Sequence, residues 1–360
     1  MAEPNDDPIV REMRQLDDAA WLQMPQPLPP QLQSATGRIA DGLVRVGAPA
    51  RLDVAARSVL PMLVVSGDCA ARRALCPPEL NTSVIGIDLD SGAAAVVNAF
   101  PLDPSKTGEA ALERQGPREY PKEGVKPAGQ SRFAAAAGAE IVGRTWFDAF
   151  ALGVAERRPG RFALRALTFD RLSNATTVTC FDPRRPATSQ GVAADVAAAI
   201  EAAARRAEAN PAGGLSLRRG ADAPAVGSTG CALVVQSEIA VGAPSLRSKG
   251  AARVAIGPGM LVDRDRFEDQ DKRGRIDDRE LPRAVVTVTV LIAELDRAPA
   301  RAIALHLPCN GAFRVGDEVE VGFEVDLAEL TGPLGAGPCY LWLLAGDRVS
   351  PAQRLDVMPK

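Results

Sequence analysis

The sequence predicts a mainly β protein made of two antiparallel β-sandwich-like units with a few peripheral helices. Three observations lead there. Short β-branched and apolar runs, bounded by Gly, Pro, Asp and Asn, recur through both halves of the chain. At 360 residues the chain exceeds what a single core usually serves. Short matches also link the halves and mark a candidate internal duplication. Val46-Gly47-Ala48-Pro49 returns as Val241-Gly242-Ala243-Pro244, and Ala55-Ala56-Arg57 as Ala251-Ala252-Arg253, at offsets of 195 and 196 residues. Pro159 and Arg161 match Pro299 and Arg301 at an offset of 140, so the first copy carries about 55 more residues between its halves.

The expected organisation is an arm at 1–34, a first β-rich domain at 35–190 with a flexible insert at 101–140, a helix and linker at 191–230, and a second sandwich at 231–360. In the arm, Ile9, Met13, Leu16, Ala20 and Met24 fall at helical spacing, which predicts one amphipathic helix over Ile9 to Met24. Pro25, Pro27, Pro29 and Pro30 then impose extended chain. Pro27 and Pro30 have PxxP spacing, read either as a semi-rigid linker or as a ligand for a proline-binding groove. A lone helix of this length is marginal in water, so its stripe, which ends at Trp21, Leu22 and Met24, needs a surface. That surface is the protein's own body or another subunit, and the partner expected through the arm is therefore a protein.

Gly42 to Val65 is apolar and β-branched, and Ser83 to Phe100 reads as a hairpin turning at Asp90-Ser91-Gly92. Residues 101–140 hold five prolines and no apolar period, a loop composition. The runs flanking Glu156 to Gly160 read as a hairpin turning at Pro159-Gly160, and Asn174 to Phe181 as a further strand. Val192 to Ala209 is an alanine-rich helix closed by Asn210-Pro211. In the second half, Ala284 to Ile292 and Arg301 to Leu307 are strands, the latter with Ile303, Leu305 and Leu307 on one face and Ala302, Ala304 and His306 on the other.

Composition narrows function by exclusion. The chain is 46% apolar and 24% charged with a net charge of −3, ordinary values for a globular protein. Aromatics at 4% and arginines interspersed with acids give no nucleic-acid footprint. No run reaches membrane-spanning length, and the acidic start lacks the basic and apolar parts of a secretory signal. The expectation is a cytoplasmic protein, with export lacking a cleaved signal left open. No phosphate loop or dinucleotide fingerprint is present, and no cofactor is expected.

Three constellations could carry chemistry. Asp269, Asp271, Gly274, Ile276, Asp277 and Glu280 occupy positions 1, 3, 6, 8, 9 and 12 of an EF-hand-type calcium loop, where carboxylates would wrap the ion and Glu280 would bind through both oxygens. Arg273 puts a cation at position 5, and the flanks are not helical, so a self-neutralised loop is expected. His306 and Cys309 could form a nucleophilic dyad, but a strand places residues three apart on opposite faces, unless Pro308 interrupts it. The six cysteines, Cys69, Cys76, Cys180, Cys231, Cys309 and Cys339, form no CxxC pair and are expected reduced, with no zinc site.

The third constellation is Asp90-Ser91-Gly92-Ala93 after alternating apolar residues, followed downstream by Glu140-Ile141-Val142-Gly143-Arg144. This resembles the catalytic loop and apolar-apolar-Gly segment of the retropepsin-like aspartic peptidases. The resemblance implies Asp90 as catalytic carboxylate. Because one proton must be shared between two carboxylates, it also implies a symmetric homodimer. An ordinary β-turn closed by Asp-Ser-Gly is the competing reading. The leading expectation is a non-enzymatic binding, assembly or structural protein, with the peptidase as alternative.

Overall fold

A computed structural model of the chain describes residues 7–17, 20–21, 43–69, 82–98, 140–168, 170–184, 224–243, 245–262, 284–294, 297–309, 311–331 and 334–359. The insert at 101–139, the helix read at 192–209, the proline-rich stretch at 25–33 and the charged loop at 263–280 lie outside these residues. Contacts divide the chain into two compact units, Met1–Gly86 with Ala95–Pro186, and Ile87–Ala94 with Ala187–Lys360. Among the described residues, no helix is long and apolar enough to cross a membrane.

The first unit opens with α1 (Pro8–Gln15) and continues through β1 (Val44–Gly47), β2 (Arg51–Asp53), β3 (Pro61–Cys69), β4 (Thr82–Asp88), β5 (Ala94–Asn98), β6 (Glu140–Asp148), β7 (Gly160–Thr168), β8 (Arg171–Leu172) and β9 (Thr176–Phe181). A three-stranded sheet has the order β1-β3-β6, and a larger sheet the order β2-β9-β7-β4-β5, with β8 paired to β7. The alternation along β3 shows how they close a core. Met62 and Val64 point inward with Val46 and Phe147, and pack with Val84, Phe162, Leu164 and Val178 of the larger sheet. Leu63 and Val65 point to the opposite face.

The second unit carries β10 (Cys231–Val235), β11 (Glu238–Ala240), β12 (Arg247–Ala255), a 3-10 turn at Pro258–Met260, β13 (Ala284–Glu294), β14 (Arg297–Cys309), β15 (Glu318–Asp326), α2 (Ala328–Thr331), β16 (Gly337–Ala345), β17 (Arg348–Val349) and β18 (Gln353–Met358). Its sheets run β10-β12-β15 and β11-β18-β16-β13-β14, with β17 paired to β16. Adding nine to each strand of the first unit reproduces the second. Pairings of defined register are antiparallel except β2 with β9 and β11 with β18, which are parallel at the same place in each unit.

Equivalence extends to single hydrogen bonds. Val54 donates to the Phe181 carbonyl at 3.0 Å and Val241 to that of Met358 at 2.9 Å. The Ser173 hydroxyl accepts the Ala166 N–H, and the Ser350 hydroxyl that of Leu343, both at 2.9 Å. These pairs fix the true alignment: Val44 matches Cys231, 187 residues on, Ser66 matches Ala252, 186 on, and Phe162 matches Cys339, 177 on.

The two-unit, mainly β fold is therefore as read from sequence, but the residue matches that prompted it are not equivalent positions. Val241 corresponds to Val54 and not to Val46, Ala251 lies inside β12 while Ala55 lies after β2, and Pro299 sits in β14 while Pro159 precedes β7. Ala, Gly, Pro and Arg are common in this chain and match by chance. Two local readings also change. The Ile9–Met24 helix stops at Gln15, because Asp17 takes up its own capping role and accepts the Ala20 N–H at 2.7 Å. The strands flanking Pro159-Gly160 belong to different sheets, so they form an arch and not a hairpin.

Candidate functional site

The outer face of the β1-β3-β6 sheet is apolar and covered. Val59, Leu63, Val65 and Trp146 form one cluster with Ile9, Met13 and Trp21 of the N-terminal arm. The arm is seated by three kinds of contact. Asp7 caps α1, its Oδ1 accepting the Ile9 N–H at 2.9 Å, while its Oδ2 pairs with Arg45 Nε at 2.7 Å. Gly47 leaves room for Met13: a Cβ at that position would lie 2.6 Å from the Met13 Sδ. Trp21 then meets Trp146 edge to face, with ring centroids 6.0 Å apart.

The equivalent face of the second unit carries exposed charges. Where the first unit has Leu63, Val65 and Trp146, the second has Lys249, Ala251 and Glu324, and where it has Arg45 and Gly47, the second has Ala232 and Val234. Lys249 pairs with Glu324 at 3.8 Å and Arg253 with Glu320 at 3.3 Å, all four side chains being 40% exposed or more. Val234 is itself 53% exposed. A helix placed on this face would strand those charges, and Val234 would fill the notch that Gly47 leaves open. Among the described residues, this face therefore carries a helix in the first unit and exposed ion pairs in the second.

Asp148, the last residue of β6, lies on the arm's side of the sheet, two residues from Trp146. Its Oδ1 accepts the N–H groups of Leu60 at 3.1 Å and Phe150 at 3.0 Å. Burial pushes its carboxyl up to about 6, against the lowering effect of those donors. The counterpart Asp326 accepts the Leu246 and Ala328 N–H groups at 2.6 and 3.0 Å. Burial acts to raise its pKa too, but the Ser245 hydroxyl, the two N–H donors and the Arg247 charge together hold it below the ordinary carboxylate value. Val59 and Pro61 stand where the second unit has Ser245 and Arg247. The substitution that makes the floor apolar has thus removed a partner from the buried acid.

Sequence-predicted sites are placed as follows. Asp90 lies in the β4–β5 turn, which Asp88 organises: Asp88 Oδ1 accepts the Asp90 N–H and Oδ2 the Ser91 hydroxyl, both at 2.8 Å, while Gly92 takes φ +77°. Within the Ile87–Ala94 segment, which contacts group with the second unit, the Asp90 carbonyl accepts the Gly259 N–H at 2.8 Å, and a Cβ on Gly257 would come within 2.3 Å of that oxygen. The Glu140–Arg144 segment lies in β6, in a different sheet from β4 and β5, so the two motif segments are not brought into one sheet. Asp269, Asp271, Asp277 and Glu280 lie outside the described residues. Among the described residues, no three of His, Cys, Asp and Glu gather in a metal-binding group.

His306 faces Thr287 across β13 and β14, Nδ1 to Oγ1 3.1 Å. Strand β14 runs on through Pro308 to Cys309, which an edge strand tolerates, so His306 and Cys309 stay on opposite faces. Cys180 and Cys339 are buried, and burial pushes both thiols up to about 12.

No family model matches the chain, and no curated protein is significantly similar to it. The site's main residues, Arg45, Gly47, Leu63 and Trp146, carry no catalytic chemistry, which is why a search by motif passes over them. The available signal was in β3 itself: Pro-Met-Leu-Val-Val is apolar on both faces, whereas a strand with one solvated face alternates.

Proposed function

We propose that this is a non-enzymatic binding or assembly protein whose binding face is the outer surface of the β1-β3-β6 sheet. One observation carries the reading: two units with the same strand order differ at this face, apolar with a notch for Met13 at Gly47 in the first, charged in the second. A face needed only for stability could be solvated in both, as the second unit demonstrates. The arm acts as its cover, bringing an acidic cap to Arg45 and a flexible thioether to Gly47. Helix-on-sheet docking of this kind gives affinity through apolar burial and register through the capping ion pair.

The test is a chain lacking residues 1–34. On this reading both units keep their cooperative unfolding and near-ultraviolet circular dichroism, and the uncovered face takes up an apolar dye that the full chain excludes. Collapse of the first unit on removal of the arm would show that the arm is simply core. The alternative of a retropepsin-like peptidase acting through Asp90 in a homodimer rests on motif resemblance alone.

A further inference from the structure

We propose that the groove on the first unit is filled in trans by the arm of a second copy of this chain, so that arm exchange links copies into an assembly. The inference rests on the binding face described above and names its occupant. Among the described residues, the capping ion pair, the Met13–Gly47 contact, the apolar cluster and the Trp21–Trp146 pair join residues 7–21 on one side to residues 43–65 and 146 on the other. None of them depends on the two sides belonging to one molecule. The arm carries the complement that the groove asks for: a carboxylate for Arg45, an unbranched side chain over Gly47 and an aromatic edge for Trp146. Helix α1 has only eight residues, too few to hold its form in water, so a released arm must find a groove to refold on.

What decides between the two donors is the tether. Residues 22–42 join Trp21 to Leu43, a stretch of 21 residues that spans at most about 75 Å when extended. A tether of that length holds the arm near its own groove at a local concentration on the order of mM, which favours closed single chains in dilute solution. Pro25, Pro27, Pro29 and Pro30 stiffen the tether's sequence and disfavour compact return paths, which lowers that advantage. Exchange therefore rises with protein concentration, and a reciprocal pair closes with two-fold symmetry and leaves no groove empty.

The experiment uses the full chain carrying Met13→Cys and Gly47→Cys. A Cβ on Gly47 would lie 3.0 Å from the Met13 Cβ, so a small shift of the arm brings the new thiols to disulfide geometry, about 3.5–4.5 Å between Cβ atoms. Samples equilibrated between about 1 µM and about 1 mM, a range that reaches up to the expected local concentration, are oxidised and run without reductant, each single variant serving as baseline. Covalent dimers whose share rises at least about tenfold across the series support exchange; covalent closure within single chains at every concentration overturns it and leaves the groove to its own arm or to a foreign helix.

A second measurement covers a double variant that fails to fold. A fluorescent peptide of residues 7–21 is added to the chain lacking residues 1–34. Saturable uptake at one peptide per chain, lost with Asp7→Ala in the peptide, supports docking in trans. A truncated chain that is folded but ignores the peptide overturns exchange alone, whereas a truncated chain that does not fold counts against the binding face as well.

Discussion

Replacing Asp148 by Asn isolates one buried charge and makes a signed prediction. The folded-state value of about 6 against an ordinary 3.8 is a rise of about 2 units, equivalent to about 3 kcal/mol of differential stability. Because the folded pKa is raised, the stabilising contribution is complete below pH 3.8 and is lost as pH rises through 6. At pH 7.5 the native chain therefore carries a buried carboxylate at a cost of about 3 kcal/mol, which the Asn variant avoids while its Oδ1 still accepts from Leu60 and Phe150. Weaker hydrogen bonding to a neutral acceptor offsets part of this gain. The assay is urea unfolding of Asp148→Asn and of the native sequence from pH 4 to pH 7.5. It follows Trp21 and Trp146 fluorescence in a Trp342→Phe background, so that the first unit is read alone. Taking the difference between the two proteins cancels every other titrating group. The stability of the variant relative to the native sequence should rise by about 2–3 kcal/mol between pH 4 and pH 7.5. A difference that stays flat, or that falls with pH, would refute the argument. Asp326→Asn should behave oppositely: Asp326 has a lowered pKa, so its contribution is present at neutral pH and is lost on acidification through the folded value.

Gly47→Val, which gives the first unit the residue that the second carries at this place, should drive Met13 off the sheet at a cost of about 1–3 kcal/mol, read as increased trypsin cleavage at Arg11 and Arg14. Ser173→Ala and Ser350→Ala should each cost about 1–3 kcal/mol, because each hydroxyl accepts a buried N–H and donates to a carbonyl; differential scanning calorimetry should show each loss confined to the unit that carries it. Isothermal titration of the full chain with calcium at micromolar concentration should give no binding heat, since Arg273 replaces a ligand oxygen; a saturable exotherm abolished by Glu280→Gln would refute this.

Strand chemistry was the most legible part of this chain. Seven of the nine residues from Ala284 to Ile292 are β-branched, and the alternation of Ile303, Leu305 and Leu307 with Ala302, Ala304 and His306 reads directly as the two faces of β14. Repetition was legible in kind but not in register, because a sheet repeats through backbone pairing, which leaves side chains free to diverge. Ser173 and Ser350, like Asp148 and Asp326, hold the true correspondence, yet single polar residues 177 or 178 positions apart do not stand out. The arch after β6 was misread because Pro159-Gly160 is good turn chemistry whether the chain returns to its own sheet or crosses to the other. The groove escaped notice since recognition here depends on an absent side chain, at Gly47, and on ordinary apolar residues.

Divergence between the two small sheets has a consequence for how the chain finds its fold. Tandem units with one strand order can trade equivalent strands while folding, a characteristic hazard of repeat proteins. Here the trade is self-penalising. Were β12 to enter between β1 and β6, Lys249 would take the place of Leu63 opposite Trp146, and its ammonium would be trapped beneath the arm. Were β3 to enter between β10 and β15, Leu63 would face Glu324 in water and the Lys249 partner would be lost. Each error costs the burial of a charge or the exposure of an apolar surface, so the residues that separate the duties of the two faces also proofread their assembly.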